Sequence, residues 1–235
     1  MGKYEKELKQ YILENRTLFG NLGEAVVSFE VPMAYSKNKD VKRSIADVII
    51  YSEKKAIIGV EIKSERDSTQ RLNRQIKSLT LNCNYAYVMI HDKHYVKTKA
   101  IMDKYPNYYK HIGIITYTKF KDKIIAGITK EAEYNCKFSP FHCLQNFSSA
   151  DLSKILLFDI EDVYDENHKE VVKTICEPGK FFFSGSQETK KSININNITR
   201  KYSSKDIGKR VAILQINYVI GNEVKRRKKH KFRGW

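Results

Sequence analysis

The chain has 235 residues, 41% of them hydrophobic and 11% aromatic, which suffices for one full core or for an ordinary domain with a smaller appendix. That content excludes wholesale disorder, and the lack of any fixed period excludes collagen-like, coiled-coil and repeat architectures. Forty-three Lys and Arg against 27 Asp and Glu give a formal charge of +16, a field that draws polyanions, nucleic acid first among them.

From Lys3 to Asn15 the apolar positions Tyr4, Leu8, Tyr11 and Ile12 recur at helical spacing, and Gly20 and Gly23 end that helix. Val26–Met33 predicts a strand, broken near Pro32, before a polar and basic loop over Ser36–Ser44. Ala46–Tyr51 and Ala56–Ile62 are β-branched strands around the polar turn Ser52–Lys55, hence a hairpin. Asp67 and Ser68 are suited to cap a helix running to about Leu81, with Leu72, Ile76 and Leu79 on one face. Tyr85–Ile90 follows as a short buried strand, then a weak helix to Pro106, then a second hairpin from Ile112–Thr118 and Lys123–Thr129.

This order predicts a mixed α/β core over residues 1–135, a central mixed sheet flanked by helices. Residues 136–224 form a C-terminal extension of weaker pattern. It holds a short helix at Asp151–Phe158, an acidic stretch at Asp159–Glu170, a joint at Ser184–Gln187, and an apolar strand or buried helix at Val211–Ile220. Residues 225–235 carry a run of Lys and Arg with no acid, predicted to be a flexible tail until it meets a polyanion.

Chemistry concentrates in the first hairpin. Asp47 opens one strand and Glu61-Ile62-Lys63 closes the next. Alternation puts Glu61 and Lys63 on one face while Ile62 points into a core. If the turn holds an odd number of residues or a bulge, Asp47 falls opposite Glu61. Two carboxylates that close repel unless a cation sits between them, and oxygen-only ligands suit Mg²⁺ or Mn²⁺. The Lys63 ammonium would stabilise charge growing on a scissile phosphate. An amphipathic hairpin with a surface Glu and Lys is the plain alternative, because Glu-x-Lys alone is common in a lysine-rich chain. The upstream Asp, the apolar strand before each acid and the helix directly after favour a site.

With these residues in place the chain resembles the PD-(D/E)xK phosphodiesterase superfamily, the fold of many restriction enzymes, junction resolvases and RecB-like exonucleases. The run from Glu61 to Gln75 is similar to an EIKSDxDTLxRLxxQ pattern in a group of small bacterial and phage proteins. Their RSRAD-like strand start corresponds to Arg43-Ser44-Ile45-Ala46-Asp47, with Ile45 where the group has Arg. The similarity spans about Lys3 to Cys136. It implies a restriction-endonuclease-like core with Asp47 and Glu61 as metal ligands, the Ile62 carbonyl oxygen as a third, and Lys63 as the catalytic lysine. Gln75 would contact the nucleophilic water or a phosphate, although Leu79 stands where many relatives have Tyr. The superfamily usually adds an upstream Glu; Glu30 is the first choice, then Glu24, with Glu14 if the ligand comes from the first helix.

The function so implied is Mg²⁺- or Mn²⁺-dependent hydrolysis of phosphodiester bonds in DNA. Candidate backbone contacts are Arg43 at the end of the basic loop, Ser64, Arg71 and Arg74, and Lys228 and Lys229 in the tail. Ser64, Asp67 and Arg71 are equally suited to capping the helix and pairing on its face. Two alternatives stand beside this reading: a catalytically silent nucleic-acid-binding protein on the same scaffold, and an RNA-cleaving nuclease. A homodimer is compatible with cutting two strands. His91 and His94 are read as loop residues. Cys136, His142 and Cys143 lack the ligand set and spacing of a zinc site. All four cysteines follow the nuclease motif, unlike those of cluster-bearing RecB-like relatives, and are read as buried free thiols. Apolar runs such as Val48–Tyr51 are too short to cross a bilayer, no basic amphipathic helix suited to a membrane surface is evident, and with no leading apolar segment a cytoplasmic location is expected.

Overall fold

Six strands form one mixed sheet in sequence order, β1 (Ala25–Ala34), β2 (Arg43–Ser52), β3 (Ala56–Lys63), β4 (Tyr85–His91), β5 (Gly113–Phe120) and β6 (Lys123–Lys130). The computed structural model describes residues 3–34, 43–121, 123–157 and 190–231. The loop residues 37–42, the acidic stretch 159–170, the joint 184–187, residues 181–183 and Cys176 lie outside them. Pairing is antiparallel for β1–β2–β3 and β5–β6, and parallel for β3–β4–β5. Helix α1 (Lys3–Glu14) precedes the sheet, α2 (Leu72–Asn82) joins β3 to β4, and α3 (Tyr95–Asp103) with α4 (Pro106–Tyr109) joins β4 to β5. After β6 come α5 (Pro140–Leu144), α6 (Ser149–Leu157), α7 (Lys190–Lys201) and α8 (Ser204–Lys231).

Parallel neighbours require helices on both faces, so the centre of such a sheet is buried on both sides and its strands are apolar throughout. Every residue of β3 is buried accordingly. On one face Leu8 and Ile12 of α1 meet Val48, Ile50, Ile58 and Val60. On the other, Leu72, Ile76 and Leu79 of α2 meet Ile49, Ile57 and Val88, and α6, α7 and α8 add Leu152, Ile195, Ile198, Ile207 and Val211 to the same core. The residues after 136 thus share the core of the sheet.

The elements anticipated before residue 136 are present, with differences at their edges. Pro32 does not break β1, where it pairs with Ile45. As an edge strand, β1 tolerates a residue without an N–H. The interruption lies instead at Glu30, whose φ of 53° is left-handed. Helix α2 begins at Leu72, because Asp67 spends its carboxylate on the N–H of Ser64 at 2.7 Å and closes a turn there. Ser68 likewise takes the N–H of Gln70. The segment 211–220 is helical, within α8, and the backbone of 225–231 continues that helix where the sequence predicts a flexible tail. Cys83 and Cys143 are buried, whereas Cys136 is exposed.

Two registers place the acids. The β2–β3 ladder runs from Ser52 opposite Ala56 to Val48 opposite Val60, around a turn of odd length, so Asp47 follows opposite Glu61. On the other side Phe29 pairs with Val48 and Val31 with Ala46, which leaves Glu30 unpaired in the ladder opposite Asp47. Ala46 and Val48, two residues apart, belong to different cores. The β1–β2 pair therefore bends at Glu30 and Asp47, and carboxylates occupy the bend.

Candidate metal centre

Glu30, Asp47 and Glu61 form a row across three adjacent strands. Where the β2–β3 ladder ends, Asp47 replaces a backbone acceptor: its Oδ2 takes the Ile62 N–H at 2.7 Å. Burial pushes the Asp47 carboxyl above its ordinary range, against that hydrogen bond and the positive charges of Lys63 and Lys9. Glu61 is 1% exposed, and burial together with the neighbouring Asp47 pushes it up to about 8, opposed by Lys63. Lys63 is itself buried and holds Glu61 Oε1 at 2.8 Å. Glu61 and Lys63 lie on the α2 face: Gly59, two residues earlier, faces Leu79 and Cys83, and Ile62 joins the opposite core.

Helix α1 contributes two residues that sequence reasoning missed. Carboxylate oxygens of Glu5, Glu30 and Asp47 lie within 4.8 Å of one another. Lys9, one turn after Glu5, donates to Glu5 Oε1 at 2.6 Å and also binds Glu30. Burial lowers the Lys9 pKa, and its bonds to Glu30 and Glu5 outweigh that, leaving it raised. The helical stripe through Leu8 and Ile12 was legible, and a Glu and a Lys at i, i+4 beside it is the signal that marks this pair. The helix is pinned over the site end of the sheet. Tyr4 packs under Arg66 (4.9 Å) and Lys119 (5.2 Å), and Lys119 pairs with Glu7 at 2.9 Å.

Of the three upstream acids considered, Glu30 joins this group. Glu24 takes part in the opposite end of the β1–β2 pair, where its N–H donates to Glu53, and Glu14 ends α1 in a bond from Gln10. Gln75 lies in the first turn of α2, and its Oε1 is buried with no hydrogen-bond partner. Arg71 and Arg74 are exposed. Ser64 is buried, its N–H taken by Asp67 and its carbonyl 3.1 Å from His94 Nε2, so its backbone is committed to the turn. Arg43 begins β2, and Lys228 and Lys229 lie on the backbone of α8; their side chains are outside the described set.

The donor set fits a hard divalent cation. An octahedral ion with bonds of about 2.1 Å holds its oxygens ~3–4 Å apart, and those of Glu5, Glu30 and Asp47 lie within 4.8 Å of one another. Among the described residues no helix is long and apolar enough to cross a membrane.

Sheet and acid row together define a mixed α/β protein with an acidic cluster able to coordinate a metal ion. The family model described as "Bacteriophage P4 protein cII" matches residues 2–211, and the chain belongs to that family. Among solved structures, a protein of unknown function from Silicibacter pomeroyi is similar at 14% identity and a TM-score of 0.33, over 60% of this chain and 84% of that one. No curated protein matches the chain.

Proposed function

We propose that this protein is a restriction-endonuclease-like, Mg²⁺- or Mn²⁺-dependent nuclease that hydrolyses phosphodiester bonds in DNA. The observation supporting it is the row Glu30–Asp47–Glu61 across three strands, with Lys63 2.8 Å from Glu61. Like charges drawn together with Glu61 buried, Asp47 partly buried and Glu30 exposed cost stability unless a cation neutralises them, which supports a metal-binding reading of the row. Asp47, Glu61 and Glu30, with the Ile62 carbonyl oxygen, would hold the ion. The carboxylates that converge within 4.8 Å are those of Glu5, Glu30 and Asp47, so Glu5 is a further candidate ligand and Glu61 stands beside that group, paired with Lys63. A divalent ion there supplies Lewis acidity toward a phosphate oxygen and lowers the pKa of a water. Lys63 would neutralise charge as water adds to phosphorus and the P–O bond to the leaving oxygen breaks. Gln75, with its unpaired Oε1, is suited to orient that water. Arg43, Arg71, Arg74 and the basic end of α8 supply charge for the phosphate backbone.

The test is cleavage of linear, circular, single-stranded and branched DNA, with RNA alongside, in Mg²⁺ or Mn²⁺. Lys63→Ala is expected to lose cleavage by about 10²–10³-fold while keeping salt-sensitive DNA binding. Wild-type turnover by that variant rejects the assignment. A silent DNA-binding protein is the second reading. It is favoured by Ile45, 52% exposed where the resembling group has Arg, and by Leu79, which lies in the core instead of offering a Tyr hydroxyl. Binding without cleavage of any substrate would select it.

A further inference from the structure

We infer that Lys9 is the site's internal counter-ion: its ammonium holds the position between the carboxylates that a divalent cation takes, and the cation must displace it. The inference rests on the metal-binding part of the proposed function and concerns what that site does before the ion arrives.

Lys9 is 4% exposed, which for a lysine requires dedicated partners, since an ammonium taken from water without them is costly. Its partners come from two elements: Glu5 on its own helix and Glu30 on β1, with the charge of Asp47 on β2 also felt. Glu5, Glu30 and Asp47 are also the acids whose oxygens converge within 4.8 Å. One ammonium is thus bonded to two of the three carboxylates that would ligate an ion, so ammonium and ion compete for the same oxygens. Lys63 does not serve this role, because it is paired with Glu61 on the far side of Asp47.

A lysine suits this task better than an arginine would. Its charge is a compact point on a flexible four-carbon stem, so it can leave the cluster by rotation without moving α1. Divalent affinity is then set by the difference between the ion's binding and the ammonium's, which keeps the site neutralised when the ion is scarce. The displaced ammonium stays at the edge of the site, where it would face an incoming phosphate.

The experiment is Mn²⁺ binding to the full chain, read by the electron paramagnetic resonance signal of free Mn²⁺, and the rise in thermal midpoint that MnCl2 produces. Wild type is compared with Lys9→Gln, with Lys9→Arg, and with Lys6→Gln as a control at an exposed lysine of the same helix. Lys9→Gln should bind Mn²⁺ about tenfold more tightly and gain more thermal stability from it, because one competing charge within ~4 Å is removed. Lys9→Arg should bind no more tightly than wild type, and Lys6→Gln should change affinity less than twofold, as expected for a solvated charge. If Lys9→Gln folds only when Mn²⁺ is added, the ion is replacing the ammonium and the inference stands. Equal Mn²⁺ affinity in wild type and Lys9→Gln overturns it, as does a Lys9→Gln protein that stays unfolded in Mn²⁺. The nuclease reading fails separately: tighter Mn²⁺ binding by Lys9→Gln with no cleavage by any variant leaves the counter-ion in place and removes the enzyme. Absence of Mn²⁺ binding in every variant removes both.

Discussion

The two ends of the sheet solve the same problem in opposite ways. Where β3 and β4 begin, backbone groups left over by the β3 ladder and by the C-terminus of α2 are closed by neutral amides. Asn84 Oδ1 accepts the N–H of Ile57, and Asn135 Nδ2 donates to the carbonyls of Thr80 and Cys83. Where β3 ends, the leftover Ile62 N–H is given to a carboxylate, Asp47, with Glu30 and Glu61 on either side of it in the row. An amide would satisfy that N–H with no electrostatic cost. The acids there, together with a left-handed Glu30 that regular pairing would forbid, are what the proposed function assigns to ligand binding at this end, in contrast to the neutral closure of the other.

The largest expected effects separate these roles. Asp47→Asn should reduce metal-dependent cleavage by about 10³-fold, while its thermal midpoint stays near that of wild type because the amide oxygen still accepts the Ile62 N–H. Ile50, fully buried three residues on in the same strand, should behave oppositely. Ile50→Ala should cost about 2–5 kcal/mol of unfolding free energy in a denaturant titration, with cleavage retained by the folded fraction. If Asp47→Asn unfolds as readily as Ile50→Ala, the acids are structural and the contrast collapses.

A smaller effect is expected between the two ends, at Gly59. A Cβ there would lie 2.6 Å from both Leu79 Cδ2 and Cys83 Sγ, so α2 must shift outward to admit it. Gly59→Ala should lose about 1–3 kcal/mol in the same titration. Because α2 also carries Gln75, the variant should lower the turnover number in metal-dependent cleavage more than it weakens DNA binding. Unchanged stability would mean that the helix is not seated on β3 as described.

The sheet was largely legible because its signals are local: β-branched runs, polar turns and the change to helical spacing at Leu72. The turn of odd length between β2 and β3 made the Asp47–Glu61 pairing a conditional reading, and the register Ser52 opposite Ala56 meets the condition. What escaped was long-range. Glu5 and Lys9 reach the acids only because α1 crosses the sheet end, and no pattern within α1 itself names β1 and β2 as its neighbours. Helix α7 escaped because Ile195 and Ile198 give it a narrow apolar stripe in an otherwise polar run. The start of α2 moved because Asp67 has two competing uses, cap or turn, and the contact with Ser64 decides between them. Similarly, Pro32 is compatible with a strand only at a sheet edge, and edge position is a property of the whole topology.

A last effect, read as pH dependence, distinguishes the two ends by the direction in which each titrates. Burial and then Asp47 raise Glu61 from 4.5 to about 8 in the metal-free protein, so its protonated form is preferred on folding. The stability it contributes is full below about 4.5 and is lost as pH rises through about 8. At the other end His111, beside Thr80 at 3.4 Å, is lowered from 6.5 to about 4 by burial first and then by Lys137, Lys130 and Lys110. Its neutral ring is therefore compatible with the fold above 6.5, and stability is lost as pH falls through about 4. Melting curves in a chelator should show Glu61→Gln flattening the alkaline limb and His111→Gln flattening the acid limb, each leaving the other limb unchanged. Mn²⁺ should rescue the alkaline limb of wild type alone, because only at the Glu61 end does deprotonation create the ligands that a cation binds. Rescue of both limbs, or a His111→Gln protein that loses the alkaline limb instead, would mean that the two ends are coupled through the strands rather than independent.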